Sequence, residues 1–338
     1  MLKLYPEIIL LISEDLSDCD KVSILSVSKR FNMIKHKMLY HSLIDVAKIH
    51  NLTYFNNFTN VRIIDTNETV PQYATHLTFG YHFNQLIHNC IPCHIKHLRF
   101  GNYFNQSIYC CIPASITHIT FGYYFNKSIC HSIPDSMTHI TFGNDFNQPI
   151  NDSLPQSITH LTFGFNFNQF VDNCIPRSVT HLTFGHYFDQ PIRRCIPDSV
   201  THLKFGSAFN QLIVDAIPES VTHLTFGWRF NQTIKGCIPR SVTHLVLGDF
   251  FMQSIHDAIP NSVTHLAFGG YFRQPIEGCI PDSVTHIRFG HLFDQPLDSL
   301  PTCVKVIYLS EHYSQKICPL LAARTEIILQ VTHLYQDN

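Results

Sequence analysis

The chain has 338 residues, and 23 Lys plus Arg against 25 Asp plus Glu give it a formal net charge of −2. That balance removes the basic footprint of a nucleic-acid binder, and a charged share of 14% beside an apolar share of 45% excludes wholesale disorder. An excess of 27 Phe, 23 His and 12 Cys, spread along the whole chain, is the mark of repetition.

Residues 1–45 lie outside the repetition and read as three short helices. Pro6 and Glu7 suit a first turn, and Ile8, Ile9, Ile12 and Leu16 recur at helical spacing. Ser17 and Asp18 offer an N-cap to a second helix carrying Val22 and Leu25. A third apolar stripe follows at Phe31, Ile34 and Met38. The apolar run at residues 8–12 stops at Ser13-Glu14-Asp15, which is too short for a membrane span or a secretory signal. The expectation is a soluble cytoplasmic protein with no membrane partner, whose Cys residues form no disulfide framework.

The same segment resembles the F-box. The matching residues are Leu4, Pro6-Glu7-Ile8-Ile9, Ile12, Leu16, Asp20, Val22, Leu25 and Val27-Ser28-Lys29-Arg30-Phe31. One departure is that Leu4-Tyr5-Pro6-Glu7 stands where the family has Leu-Pro-x-Glu. The resemblance implies docking on the Skp-type adaptor of a cullin–RING ubiquitin ligase. It carries Pro6, Ile8, Ile9, Ile12, Leu16, Val22, Leu25 and Val27 over as docking or supporting residues. Without the resemblance, the helices read as a cap over the open edge of the first repeat.

Residues 46–73 read as a junction and capping segment. From 74 to 303 the chain is eleven repeats of 21 residues, the last shortened to 20, marked by glycines from Gly80 to Gly290 at a constant step. Residues 179–199 show the unit, V-T-H-L-T-F-G-x-x-F-D-Q-x-I-x-x-C-I-P-x-S. Alternation in H-L-T-F predicts a short strand with Leu and Phe inside and His and Thr outside. Gly is expected to allow a sharp turn through positive φ, and Ile-Pro to set an extended return. One unit buries about five large apolar side chains, worth roughly 8–15 kcal/mol, against roughly 20–40 kcal/mol of backbone ordering. Only a stack of units can stand, so the prediction is a repeat solenoid with a parallel β-sheet of short strands.

The unit resembles the FNIP repeat, on Phe104-Asn105 with Ile112-Pro113, Phe167-Asn168 with Ile175-Pro176, and Phe230-Asn231 with Ile238-Pro239. This resemblance implies a leucine-rich-repeat-like solenoid preceded by a small all-α F-box-like module, in a family best known from social amoebae and large viruses of amoebae.

Three columns run through the repeats. His occupies position three of every unit, from His76 to His286. It reads either as a metal strip or as a structural ladder, and eleven identical positions favour the ladder because a metal site needs a local closed constellation. A ladder of close imidazoles predicts pKa values depressed on folding. Cys90, Cys111, Cys174, Cys195, Cys237 and Cys279 share a position that elsewhere holds Ser or Ala, so packing explains them. The Asn-Gln pair reads as a ladder satisfying turn backbone groups. No nucleophile or carboxylate recurs beside the His column, so no catalytic residue, metal site or cofactor is assigned.

Where the consensus varies on the outside, recognition of a target protein is expected. The candidates are Arg99, Tyr103, Tyr124, Phe165, Trp228, Arg229, Tyr271 and Arg288, because aromatics and Arg anchor interfaces. Residues 304–338 read as a worn repeat, with 320–334 covering the last edge. The sequence therefore points to a monomeric substrate-recognition adaptor that is not itself an enzyme, in the host cytoplasm if viral. The alternatives are a scaffold without ubiquitin coupling or a metal-binding His-ladder protein.

Overall fold

The computed structural model describes residues 5–330. Leu4 of the F-box match and residues 331–338 of the expected terminal cover lie outside them. The chain divides into two compact units, Met1–Gly143 and Asn144–Asn338.

The first unit opens with α1 (Pro6–Ser13), α2 (Asp18–Ser26) and α3 (Lys29–Asn32). Pro6 occupies the first turn of α1, where its missing N–H costs nothing. Ser17 caps α2 by accepting the Asp20 N–H at 3.2 Å, and Ser28 caps α3 through Phe31 N–H. Strands begin before the first full repeat. β1 (Ile44–Asp45) pairs in parallel with β2 (Asn60–Ile63), with α4 (Val46–Ile49) between them. β2 pairs with β3 (His76–Phe79), followed by β4 (His97–Arg99), β5 (His118–Thr120) and β6 (His139–Thr141).

The second unit continues the pattern with β7 (His160–Thr162), β8 (His181–Thr183), β9 (His202–Lys204), β10 (His223–Thr225), β11 (His244–Val246), β12 (His265–Ala267) and β13 (His286–Arg288). Like columns face like in every pairing, as in His181↔His202 and Leu182↔Leu203. β14 (Val306–Ser310) is the worn repeat. After α5 (Pro319–Arg324), β15 (Glu326–Gln330) pairs in parallel with β14, so this stretch lengthens the sheet instead of lying across its edge.

The core follows the alternation. Val179, Leu182, Phe184, Phe188, Ile192 and Ile196 are all buried; the first five positions are buried in the other repeats too, whereas at the sixth Ile112, Ile133 and Ile217 are only half-buried. Phe184 stacks on Phe188 within its turn at 4.0 Å and on Phe205 of the next at 5.6 Å. After Ile-Pro the return is made by turns alone, Pro176 O accepting the Val179 N–H at 3.1 Å. Among the described residues no helix is long and apolar enough to cross a membrane, and the Cys residues are free.

The glycine column has a different cause from the one expected. Its members are absent from the positive-φ residues. A Cβ on Gly206 would sit 1.7 Å from the Gly185 carbonyl oxygen, and one on Gly122 would sit 1.9 Å from that of Gly101. Glycine stands there because neighbouring turns touch backbone to backbone. Left-handed backbone falls at unit position sixteen instead, as at Asn89, Asp152, Asn173 and Asp215, with Gly236 and Gly278 in the same place.

Candidate functional site

Two surfaces gather the candidate residues. On the helical module, α1 is apolar on almost every side, but among its described side chains only Ile9 and Ser13 are buried. Ile8 is 46% exposed, Leu11 70% and Ile12 46%, at spacing i, i+3 and i+4, which aligns them as one outward stripe. On and after α2, Val22 and Val27 are exposed as well, and Leu16 is half-buried. Ile9 and Leu25 are buried, at 4% and 7% exposure. They therefore support the module from inside and are not surface contacts. Pro6 opens α1. Leu11, Tyr5 and Met33 are exposed too, and the helical periodicity around Ile8 and Ile12 already contained Leu11.

The module is fastened to the first strands by buried polar groups. Lys21, 1% exposed, donates from Nζ to the Leu39 carbonyl at 2.8 Å and lies 3.4 Å from Asp18. Asp18 accepts the N–H groups of His41 and Ser42 at 3.1 and 2.7 Å. Burial alone would raise its pKa, but the Ser42 and His41 N–H groups and the Lys21 charge together hold it below the usual carboxylate value. Asn57 donates from Nδ2 to the carbonyls of His36 and Met38, at 2.7 and 2.8 Å.

On the outer sheet face, the His column is a stacked ladder. In the second unit successive rings from His160 to His286 lie 4.2–4.4 Å apart with interplanar angles of 8–12°. The preceding Thr bonds each ring at Nδ1, as for Thr222 and His223 at 3.0 Å. Parallel rings point their lone pairs in parallel, so adjacent imidazoles do not converge on one ion. Among the described residues no three His, Cys, Asp or Glu could together hold a metal. Burial, and then the neighbouring rings, hold His181, His223, His244 and His265 below the ordinary value, and burial does the same for His76 and His97.

The other columns are also structural. Asn168 accepts the Asp189 N–H at 3.0 Å through Oδ1 and the Gln190 Nε2 at 3.0 Å, and the same bonds recur one turn on at Asp189. Cys174 and Cys195 donate to the carbonyl two residues before them, as Ser132 and Ser153 do at the same position. Burial raises these thiols, Cys90 to about 11.

The expected target residues all reach the surface except Trp228, which is half-buried. In the first unit Tyr103 lies against Tyr124 at 4.9 Å, and Arg99 is exposed on β4. In the second, Phe165 stacks on His186 at 4.2 Å. Trp228 and Tyr271 are joined through Phe250, at 5.8 and 4.6 Å, with Arg229 and Arg288 exposed nearby in sequence and register. Phe250, a second aromatic after the turn glycine, completes this group.

Comparison with known proteins accords with this geometry. "Putative F-box protein L166" of Acanthamoeba polyphaga mimivirus is 34% identical over 88 residues, 26% of this chain and 35% of that protein. Its relative L165 from the same virus is 31% identical over 88 residues, 26% of this chain and 32% of that protein. The matched stretch thus spans about a third of the curated relatives' length. Among solved structures, CroV588, described as a novel circular LRR protein, is 36% identical with a TM-score of 0.62, over 78% of this chain and 48% of that one. YopM from Yersinia enterocolitica, at 12% identity and a TM-score of 0.53 over 83% of this chain and 64% of that one, shares the fold. The FNIP Repeat family matches residues 66–103, 104–145, 146–187, 165–208, 188–228, 209–250, 230–271 and 251–292. With strands, turns and ladders repeating in that same register, the chain belongs to the FNIP repeat family, as a leucine-rich-repeat-like parallel solenoid behind a small helical region.

Proposed function

We propose that this chain is a protein-interaction scaffold whose helical module recruits a Skp-type adaptor, and through it a cullin–RING ubiquitin ligase, while the solenoid holds a target protein. The observation that carries this reading is the outward stripe of Ile8, Leu11 and Ile12, with Val22 and Val27 also exposed. A plain cap would turn its apolar side chains inward. These point to solvent, which in a small module marks a docking surface. The mimivirus relatives named as F-box proteins add support. In this role the chain supplies no transfer chemistry of its own and works in the cytoplasm, that of the host if the chain is viral.

The test is co-purification of the full chain with an amoebal Skp adaptor, beside the variant Ile8→Asp/Val22→Asp. Both side chains are exposed, so the variant should melt as the parent does and lose the adaptor. Adaptor binding retained by the variant removes this docking face. No binding by the parent leaves the solenoid as a scaffold without ligase coupling.

A further inference from the structure

From β10 to β13 several columns change together. The outward strand position runs Thr225, Val246, Ala267, Arg288 in adjacent register, so two apolar residues interrupt the Thr column. In the Asn column Met252 and Arg273 replace the amide. The Met252 N–H is still received by Asn231 Oδ1 at 2.9 Å, but Met252 has no side-chain oxygen with which to continue the ladder. After the turn glycine Trp228, Phe250 and Tyr271 form their row, and Val246 and Tyr271 are 38% and 42% exposed. The departures from the consensus thus coincide with an apolar, aromatic surface.

Its border is cationic. Lys204, Arg229, Arg273 and Arg288 are all exposed, and none makes an ion pair among the described residues. On the return turns Arg193 pairs with Asp215 at 3.1 Å and Lys235 with Asp257 at 3.3 Å, while Arg177, Arg194 and Arg240 make no ion pair among the described residues. At positions two, three and five of the eleven repeats, the outer strand face holds Thr, His, Lys, Arg, Val or Ala and no carboxylate. Two acids lie on the nearby turns, and each is engaged by hydrogen bonds: Asp249 Oδ1 accepts the Gly270 N–H at 2.8 Å, and Asp294, one repeat on from Arg273, accepts the Ser314 N–H at 2.9 Å and the Ser314 hydroxyl at 2.7 Å.

We infer that this surface binds an acidic segment of the target protein, with an apolar side chain on Val246, Ala267 and the aromatic row and carboxylates against Lys204, Arg229, Arg273 and Arg288. Unpaired exposed cations around an apolar centre give both steering and an anchor. Four strands at about 4.8 Å spacing span roughly 14 Å, the reach of four or five extended residues. The inference rests on the solenoid being the target-holding part, and it does not depend on the adaptor.

The full chain, immobilised, is used to select a random dodecapeptide display library, and the best peptide is then synthesised. Trp228 is the chain's one Trp, so its fluorescence reports binding at this place. The expected peptides carry net negative charge and at least one aromatic or aliphatic residue. They should shift Trp228 emission and lose about tenfold or more in affinity to Arg229→Glu/Arg288→Glu. About 0.5 M salt should weaken them likewise. If the reversed variant melts early, Arg229→Gln/Arg288→Gln replaces it, with a smaller loss in the same direction. No enrichment, enrichment of neutral or basic peptides, or affinity unchanged in a folded variant overturns the proposal. Loss of adaptor binding in the Ile8→Asp/Val22→Asp chain with peptide affinity intact separates the two readings. A parent chain that binds the peptide but no adaptor overturns only the ligase coupling.

Discussion

Thr180 and His181 share one proton arrangement. The Thr180 hydroxyl donates to the Thr159 carbonyl at 3.2 Å and so has no proton left for the ring 2.9 Å away. His181 Nδ1–H is therefore the donor in that second bond, and Nε2 is the basic nitrogen. The pattern repeats at Thr201–His202, Thr222–His223 and Thr243–His244.

The first prediction follows from that tautomer. Protonating Nε2 on two neighbours sets two imidazolium charges about 4 Å apart, a repulsion of about 4 kcal/mol at an effective dielectric of 20. The folded-state pKa values of His181, His223, His244 and His265 are accordingly lowered, with burial the larger cause. For a base depressed on folding, the stability is fully present above the unfolded pKa of about 6.5 and is lost as pH falls through the lower folded values. Tm should drop by several degrees between about pH 7 and pH 5, above the range in which the lowered carboxylates Asp18 and Asp45 titrate. A flat Tm across that window would show that the ladder carries no linked protons.

A second prediction separates two kinds of glycine. Gly206→Ala drives a Cβ to 1.7 Å from a carbonyl oxygen and 2.4 Å from its carbon, and backbone on both sides must move. The expected cost is about 4 kcal/mol or more. Gly236 has φ +71 with open space around its Cβ position, so Gly236→Ala should cost only about 1–2 kcal/mol. Urea melts of the two variants measure the contrast, and equal costs would contradict it.

These glycines also show where the sequence is ambiguous. Close backbone approach and positive φ both select glycine, so the letter alone does not distinguish them. The true left-handed position was readable from Asn89, Asp152, Asn173, Asp215 and Gly236, although Arg194 and His131 obscure it. Strand register was legible because a constant period leaves each column only one partner column. The outward apolar stripe on α1 was legible only in part. Helix α1 is apolar on nearly all sides, so helical spacing alone does not say that Ile9 turns inward and Ile8 outward. The fate of residues 326–330 was hidden as well, since they add a strand beside β14 through long-range pairing.

A third prediction concerns the thiols. Cys19, Cys93, Cys110, Cys130 and Cys303 are exposed. Cys90, Cys111, Cys174, Cys195, Cys237 and Cys279 have raised pKa values, with burial the leading cause. Since the thiolate is the nucleophile, iodoacetamide near neutral pH should modify the first set well ahead of the second. Peptide mass mapping over time reads the order, and rapid labelling of Cys195 would refute the packing role.

The last prediction tests the fastening of the helical module. Lys21 is buried with its charge answered by Asp18 and the Leu39 carbonyl, and Asp18 also receives His41 N–H and Ser42 N–H. Asp18→Ala leaves a buried ammonium and two amides without their partner, which should cost about 3–5 kcal/mol. Lys21→Met fills similar volume without a charge to desolvate, but strands Asp18 beside fewer donors, so it should cost less. In the double variant no buried charge remains, and its loss should fall well short of the sum of the single losses. Chemical denaturation of the four proteins closes that cycle. Strict additivity would mean that the ammonium and carboxylate act independently, and that the backbone bonds alone hold the module to the solenoid.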